Sequence, residues 1–217
     1  VAGVLAGSAL GWLLLCAALG APVSLLALGL GYLALRREVQ SRKQAERASE
    51  ELRAALDALP AEQRAALEVA ADRVRRFHQA QPVTSWMTQS MGGTLGQYVR
   101  PIQRVGIYVP AGTAPLPSSV LMSIVPAQVA GVKEIVMVAP PSRGADGIAP
   151  VILATAALLG VEEVYAIGGA QAIAALTFGT ETSRPVDKIF GRGNLFVTLA
   201  KRQGSGMVGI DGLAGPT

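Results

Sequence analysis

Three short stretches of this chain carry side chains able to handle a charged, planar ligand. They are Tyr108 in Ile107-Tyr108-Val109-Pro110, Gln171 in Gly168-Gly169-Ala170-Gln171, and Asn194 in Gly191-Arg192-Gly193-Asn194. Each sits where an apolar, strand-forming run gives way to a turn and then to a helix. The second is the most informative. The run Val164-Tyr165-Ala166-Ile167 stops at two glycines, and small residues of high helix propensity follow at once. That is a strand, a turn without Cβ atoms, and the first turns of a helix. The N–H groups opening a helix lack intrahelical acceptors and sit at the positive end of its dipole, so a pyrophosphate fits there. Gln171, at the mouth of that space, can both donate and accept. Tyr108 offers a flat ring to stack on a nucleotide or a hydroxyl to bond to it, although by itself it reads as a half-buried strand tyrosine. Asn194 reads equally as a plain helix N-cap. The full G-x-G-x-x-G fingerprint is absent, because Phe196 occupies its last position after Gly191 and Gly193. The residues alone point to a nucleotide-binding α/β domain.

Other reactive residues are few. Cys16 is the single cysteine and lies in an apolar run, which excludes a disulfide framework or a Cys-based metal site within one copy. His78, the single histidine, follows Phe77 at the end of a helical pattern with no second ligand at metal spacing. It reads as a helix-end or packing residue. A net charge of +4, scattered along the chain, gives no basic face for nucleic acid.

The elements that must position these residues fall into three regions. Residues 1–35 contain no charged side chain, and Arg36, Arg37, Arg42 and Lys43 follow. This is the pattern of a membrane-spanning helix with its basic end on the cytoplasmic side; the alternative is a foreign segment joined to a soluble protein. Residues 36–100 are expected to hold two amphipathic helices and a connecting arm. Leu52, Leu56 and Leu59 form one stripe. After Pro60, Leu67, Ala70, Ala71, Val74 and Phe77 form another. Trp86 is expected to anchor the arm by burying its ring, and residues 94–100 to form a short strand or an extended arm. Residues 101–217 alternate strands (105–109, 134–138, 164–167, 188–190) with helices (118–130, 147–159, 170–178, 195–202). Strands that are apolar throughout belong to parallel sheets covered on both faces, so the expected fold is a doubly wound, mostly parallel α/β layer of Rossmann-like but incomplete form. Ligands on such sheets bind beyond the carboxyl ends of the strands. The first residue, Val1, and the closing Gly215-Pro216-Thr217 read as those of a fragment.

Six blocks, in order, carry a resemblance to the histidinol dehydrogenase family. They are Gly92-Gly-Thr-Leu-Gly-Gln, Arg104-Val-Gly-Ile-Tyr-Val-Pro-Ala-Gly, Gly168-Gly-Ala-Gln-Ala-Ile-Ala-Ala-Leu, Val186-Asp-Lys-Ile-Phe-Gly-Arg-Gly-Asn, Ala200-Lys-Arg-Gln and Ala214-Gly-Pro-Thr. The resemblance runs from about Ser49 to Thr217. It implies a cytoplasmic homodimer, dependent on NAD and zinc, that oxidises L-histidinol to L-histidine in two hydride transfers. Carried over residue by residue, it implies NAD contacts at Tyr108, Gln171 and Asn194 and a substrate contact at Thr217. It also implies that the zinc ligands and the catalytic glutamate–histidine pair lie beyond Thr217, so that this stretch alone holds a cofactor half-site without the catalytic groups. Arg192 stands where the family usually has proline, and the apolar leader is foreign to it. Two other readings remain at this point: a related NAD-dependent dehydrogenase of another polar alcohol, and a membrane-tethered, catalytically silent nucleotide-binding module.

Overall fold

The computed structural model describes residues 32, 33, 36, 39, 46–110, 114–142 and 147–213. Two compact units divide at Arg47 and Ala48. The described residues of the first unit are helical. The apolar segment 1–35 lies almost wholly outside the described residues, and among those described no helix is long and apolar enough to cross a membrane.

In the second unit, residues 48–57 continue a helix, and α1 (Ala61–Gln79) follows Pro60. A two-stranded antiparallel hairpin comes next, β1 (Trp86–Thr88) and β2 (Leu95–Gln97). The α/β layer then runs β3 (Arg104–Tyr108), α2 (Pro117–Val129), β4 (Glu134–Ala139), α3 (Pro150–Leu158), β5 (Glu163–Ala166), α4 (Gly169–Phe178), β6 (Lys188–Phe190), α5 (Leu195–Gly204) and β7 (Gly209–Ile210). The last five strands form one parallel sheet in the order β5-β4-β3-β6-β7.

The order explains the two helical layers. From β3 the chain steps outward to β4 and β5, then returns to the other side of β3 for β6 and β7. Right-handed crossovers running in opposite directions along a sheet must place their helices on opposite faces. One core therefore joins Val105, Ile107 and Met137 to α2 and α3. The other joins Tyr108, Val136, Val138 and Ile189 to Ala172, Ile173 and Leu176 of α4 and Val197 of α5. All five residues of β3 are buried, as a central parallel strand requires. Gly106 lets α4 lie directly on that strand, since an added Cβ would stand 2.9 Å from both Leu176 methyls.

Leu52 and Ala71 are buried in the first core, with Leu67, Ala70 and Val74 packed against it. Arg75 of α1 donates to Gln128 Oε1 at 3.1 Å, and Gln128 in turn donates to the Leu159 carbonyl at 2.6 Å. Helix α1 and the α/β layer thus belong to one unit across residue 100.

Two expectations about burial fail. Phe77 is 64% exposed and Trp86 53% exposed. Phe77 lies in the last turn of α1, beyond the part of the stripe that packs against the core, and its ring meets His78 edge-on at 5.2 Å. Trp86 lies on the hairpin instead of under it, with its indole N–H donating across the strands to Gln97 Oε1 at 3.3 Å.

The amino ends of β3, β4 and β5 are joined by one buried cation. Arg104, 5% exposed, donates through Nη1 to Glu134 at 2.9 Å, and through Nη1 and Nη2 to the two carboxylate oxygens of Glu163, each at 2.7 Å. Its backbone N–H donates to Asp187 Oδ2 at 2.9 Å, and Arg184 adds a second cation to Glu134 at 2.7 Å. The paired guanidinium holds the Glu163 carboxyl below the usual glutamate range, and the bidentate carboxylate raises the guanidinium above its own. Burial pushes the neighbouring Tyr165 phenol up.

Candidate functional site

The opposite, carboxyl edge of the sheet carries the three glycine-bearing junctions. Tyr108 ends β3 with its ring buried, 5% exposed. Its hydroxyl accepts the Gly169 N–H at 3.2 Å and, accepting there, keeps its own proton to donate. Its carbonyl oxygen faces Gly191, where any added Cβ would collide with it. Tyr108 therefore touches the turn after β5 through its side chain and the turn after β6 through its backbone. Gly168 closes the set, because an added Cβ would come to 2.5 Å from Pro140 Cβ, just after β4. The carboxyl ends of β3, β4, β5 and β6 meet through contacts that only glycine permits.

Helix α4 begins at Gly169 with φ +66° and has no side-chain cap and no acid in its first turn. Its opening N–H groups thus face the space above the sheet without an internal acceptor, apart from that of Gly169. Gln171 is exposed there, with Oε1 laid back over the turn, 2.9 Å from where a Gly169 Cβ would stand. Its amide makes no hydrogen bond to another described residue. Asn194 caps α5, its Oδ1 accepting the Val197 N–H at 3.1 Å. The N-cap role is present, and it leaves the amide N–H₂ as a donor at an exposed position.

Tyr108 differs from the expectation in one respect. A ring this buried and flanked by backbone offers its hydroxyl and not a stacking face, because β3 is the innermost strand and both its faces are covered. Thr217 lies outside the described residues. His78 is remote in sequence from all three junctions and bonds Gln81 Oε1 through Nδ1 at 2.9 Å, at the end of α1. Among the described residues, no three His, Cys, Asp or Glu side chains gather to hold a metal.

Sequence reasoning missed two residues at this edge. Lys201 of α5, 3% exposed, donates from Nζ to the Gly191 carbonyl and to Asp211 Oδ1 at 2.6 Å. Asp211, just past β7, accepts the Gly191 N–H on Oδ2 at 2.9 Å. Beside them, Gly191, Arg192, Asp211, Gly212 and Leu213 line an open recess of about 290 Å³. Lys201 falls in a block of the resemblance, which was the single signal for it; Asp211 is ten residues on and gives none.

A family model described as histidinol dehydrogenase matches residues 32–217. The chain belongs to the histidinol dehydrogenase family. It is 54% identical over 181 residues to the histidinol dehydrogenase of Aromatoleum aromaticum, covering 83% of this chain and 41% of that protein. The enzyme of Geobacillus kaustophilus is 55% identical over 170 residues, covering 77% of this chain and 40% of its own length. The crystal structure of histidinol dehydrogenase from Elizabethkingia anophelis superposes with a TM-score of 0.72 at 43% identity, covering 77% of this chain and 39% of the other. The chain thus spans about two-fifths of these histidinol dehydrogenases. Most of the apolar run 1–35 precedes the matched span.

Proposed function

We propose that the carboxyl edge of the sheet, between β3 and β6, is the dinucleotide half-site of an NAD-dependent dehydrogenase that oxidises L-histidinol to L-histidine. The observation that supports it most is the meeting of two separate glycine turns on Tyr108 at the point where strand order reverses. Such switch points are where doubly wound sheets take dinucleotides. The glycines form a cradle that Cβ atoms would fill, so the residues present fit a pyrophosphate approaching backbone. Bound there, NAD supplies the hydride acceptor for two successive oxidations, alcohol to aldehyde and hydrated aldehyde to acid. The chain's own part is to hold it. The opening N–H groups of α4 would hold the phosphates, the Tyr108 hydroxyl would donate a hydrogen bond, and the amides of Gln171 and Asn194 would fix orientation. Thr217 contributes a hydroxyl to the substrate. The described residues give zinc no donor set, so the zinc chemistry the family resemblance implies is not carried by them.

A homodimer in the cytoplasm is the setting that accords with the family; anchoring through residues 1–35 draws no support from the described residues. Titration of the full chain with NAD+ by calorimetry tests the reading. Saturable binding is expected, weakened about 2- to 12-fold by Gln171→Ala, the loss of one hydrogen bond of about 0.5–1.5 kcal/mol. Unchanged affinity in that variant removes Gln171 from the site, and no binding by the wild type refutes the half-site.

A further inference from the structure

The reading above leaves a buried ammonium without a task. The Lys201 side chain is 4% exposed, and burying such a charge is costly unless its donors are satisfied. Here they converge on the two peptide units that flank one residue. Lys201 holds the carbonyl of Gly191, Asp211 holds its N–H, and the two side chains hold each other. Gly191 sits at φ +120°, a conformation that side-chain-bearing residues rarely adopt, with its Cα against the Tyr108 backbone. A glycine so placed is free to take many conformations unless something external restrains it. Both of its backbone polar groups are restrained, by side chains ten and twenty residues away, one on α5 and one just past β7. Three positions on, Asn194 opens α5, and Gly193 packs so closely on Val197 that an added Cβ would stand 2.6 Å from it.

We propose that Lys201 and Asp211 are positioning residues. They clamp the Gly191 backbone on both sides so that the Gly191–Asn194 turn is preset for the dinucleotide before it arrives. This rests on the dinucleotide reading of the sheet edge. The physical effect is preorganisation: a ligand that binds one conformation of a turn loses apparent affinity in proportion to the fraction of time the turn spends elsewhere. Neither side chain needs to touch the ligand.

The test uses the full chain with NAD+ as the probe, well below the melting temperature. Calorimetric affinity and amide hydrogen exchange at Gly191 are measured for the wild type, Lys201→Met, Asp211→Asn and Ile152→Val. The last trims the core on the far face and serves as a control for stability alone. Lys201→Met and Asp211→Asn are expected to weaken NAD+ binding about tenfold or more and to speed Gly191 exchange, with circular dichroism unchanged. Ile152→Val is expected to lower the melting temperature and leave the affinity alone. Should Lys201→Met fail to fold, Asp211→Asn, which keeps size and shape, decides the matter. Wild-type affinity in the folded clamp variants overturns the clamp alone. Absence of binding by the wild type overturns the dinucleotide reading and the clamp with it.

Discussion

Replacing Arg104 with methionine should lower the stability of the folded unit by about 2–3 kcal/mol at neutral pH. Removing one partner of a buried ion pair costs about 3–5 kcal/mol when the abandoned charge stays dry. Here the abandoned carboxylates are not dry: the side chains of Glu134 and Glu163 are 41% and 39% exposed, so water rehydrates them and the cost is discounted. What remains is the loss of several charge-assisted hydrogen bonds, worth about 1.5–3 kcal/mol each but far from additive within one network. A unit of this size loses about 2–4 °C per kcal/mol, so differential scanning calorimetry should show a fall of about 5–10 °C. The pH dependence supplies a second check. The Glu163 carboxyl is held low in the folded state by Arg104. Its stabilisation is therefore complete above the ordinary glutamate range and is lost as pH falls through the depressed folded value. The gap between wild type and Arg104→Met should narrow over that interval. A variant melting within about 1 °C of wild type at neutral pH, or a gap that persists in acid, would show that the cluster does not brace the three strands.

Asn194→Ala should lose the α5 cap and about 1 kcal/mol of stability, whereas Asn194→Asp keeps the cap and removes the amide donor. If Asp restores the melting temperature and leaves NAD+ affinity reduced, the side chain serves the ligand as well as the helix; full recovery of both reduces it to a cap. Gly106→Ala should cost about 1–3 kcal/mol by overpacking Leu176, read by urea unfolding, with NAD+ affinity unchanged at temperatures where the variant is folded.

The α/β layer was legible because its signals are local. Runs such as Ile135-Val136-Met137-Val138 are apolar without alternation, and glycines mark where each turn must pass close to a neighbouring strand. Three residues on three turns were chosen from residue type and spacing, and the structure sets those turns along one sheet edge. What escaped depends on distant partners. Nothing in the sequence near Arg104 distinguishes it from a surface arginine until β4 and β5 bring Glu134 and Glu163 to its side. Nothing on the helix over 195–202 marks Lys201 as buried, and only the return of the chain after β7 supplies Asp211. Trp86 and Phe77 were expected inside on hydrophobicity, but a helix stripe continues past the surface it packs on, and a hairpin can carry its aromatic on top. The stacking role considered for Tyr108 failed for a related reason, since centrality in the sheet follows from topology and not from the five residues of β3.

Strand β3 lies at the middle of the sheet, yet it is the first of the five to leave the ribosome. Its neighbours on one side, β4 and β5, follow within about sixty residues and bring their own helical cover. The flank that will receive Ile189 stays unpaired until α4 has been made and has crossed over the glycine at 106. For that interval the nascent chain carries a mostly apolar strand with one naked row of amides, the kind of edge that recruits a neighbour's strand. The same glycine that lets α4 settle closely is thus also what lets β6 arrive and shut that edge promptly. Substitutions there should show themselves first as aggregation during synthesis, ahead of any loss in the finished protein.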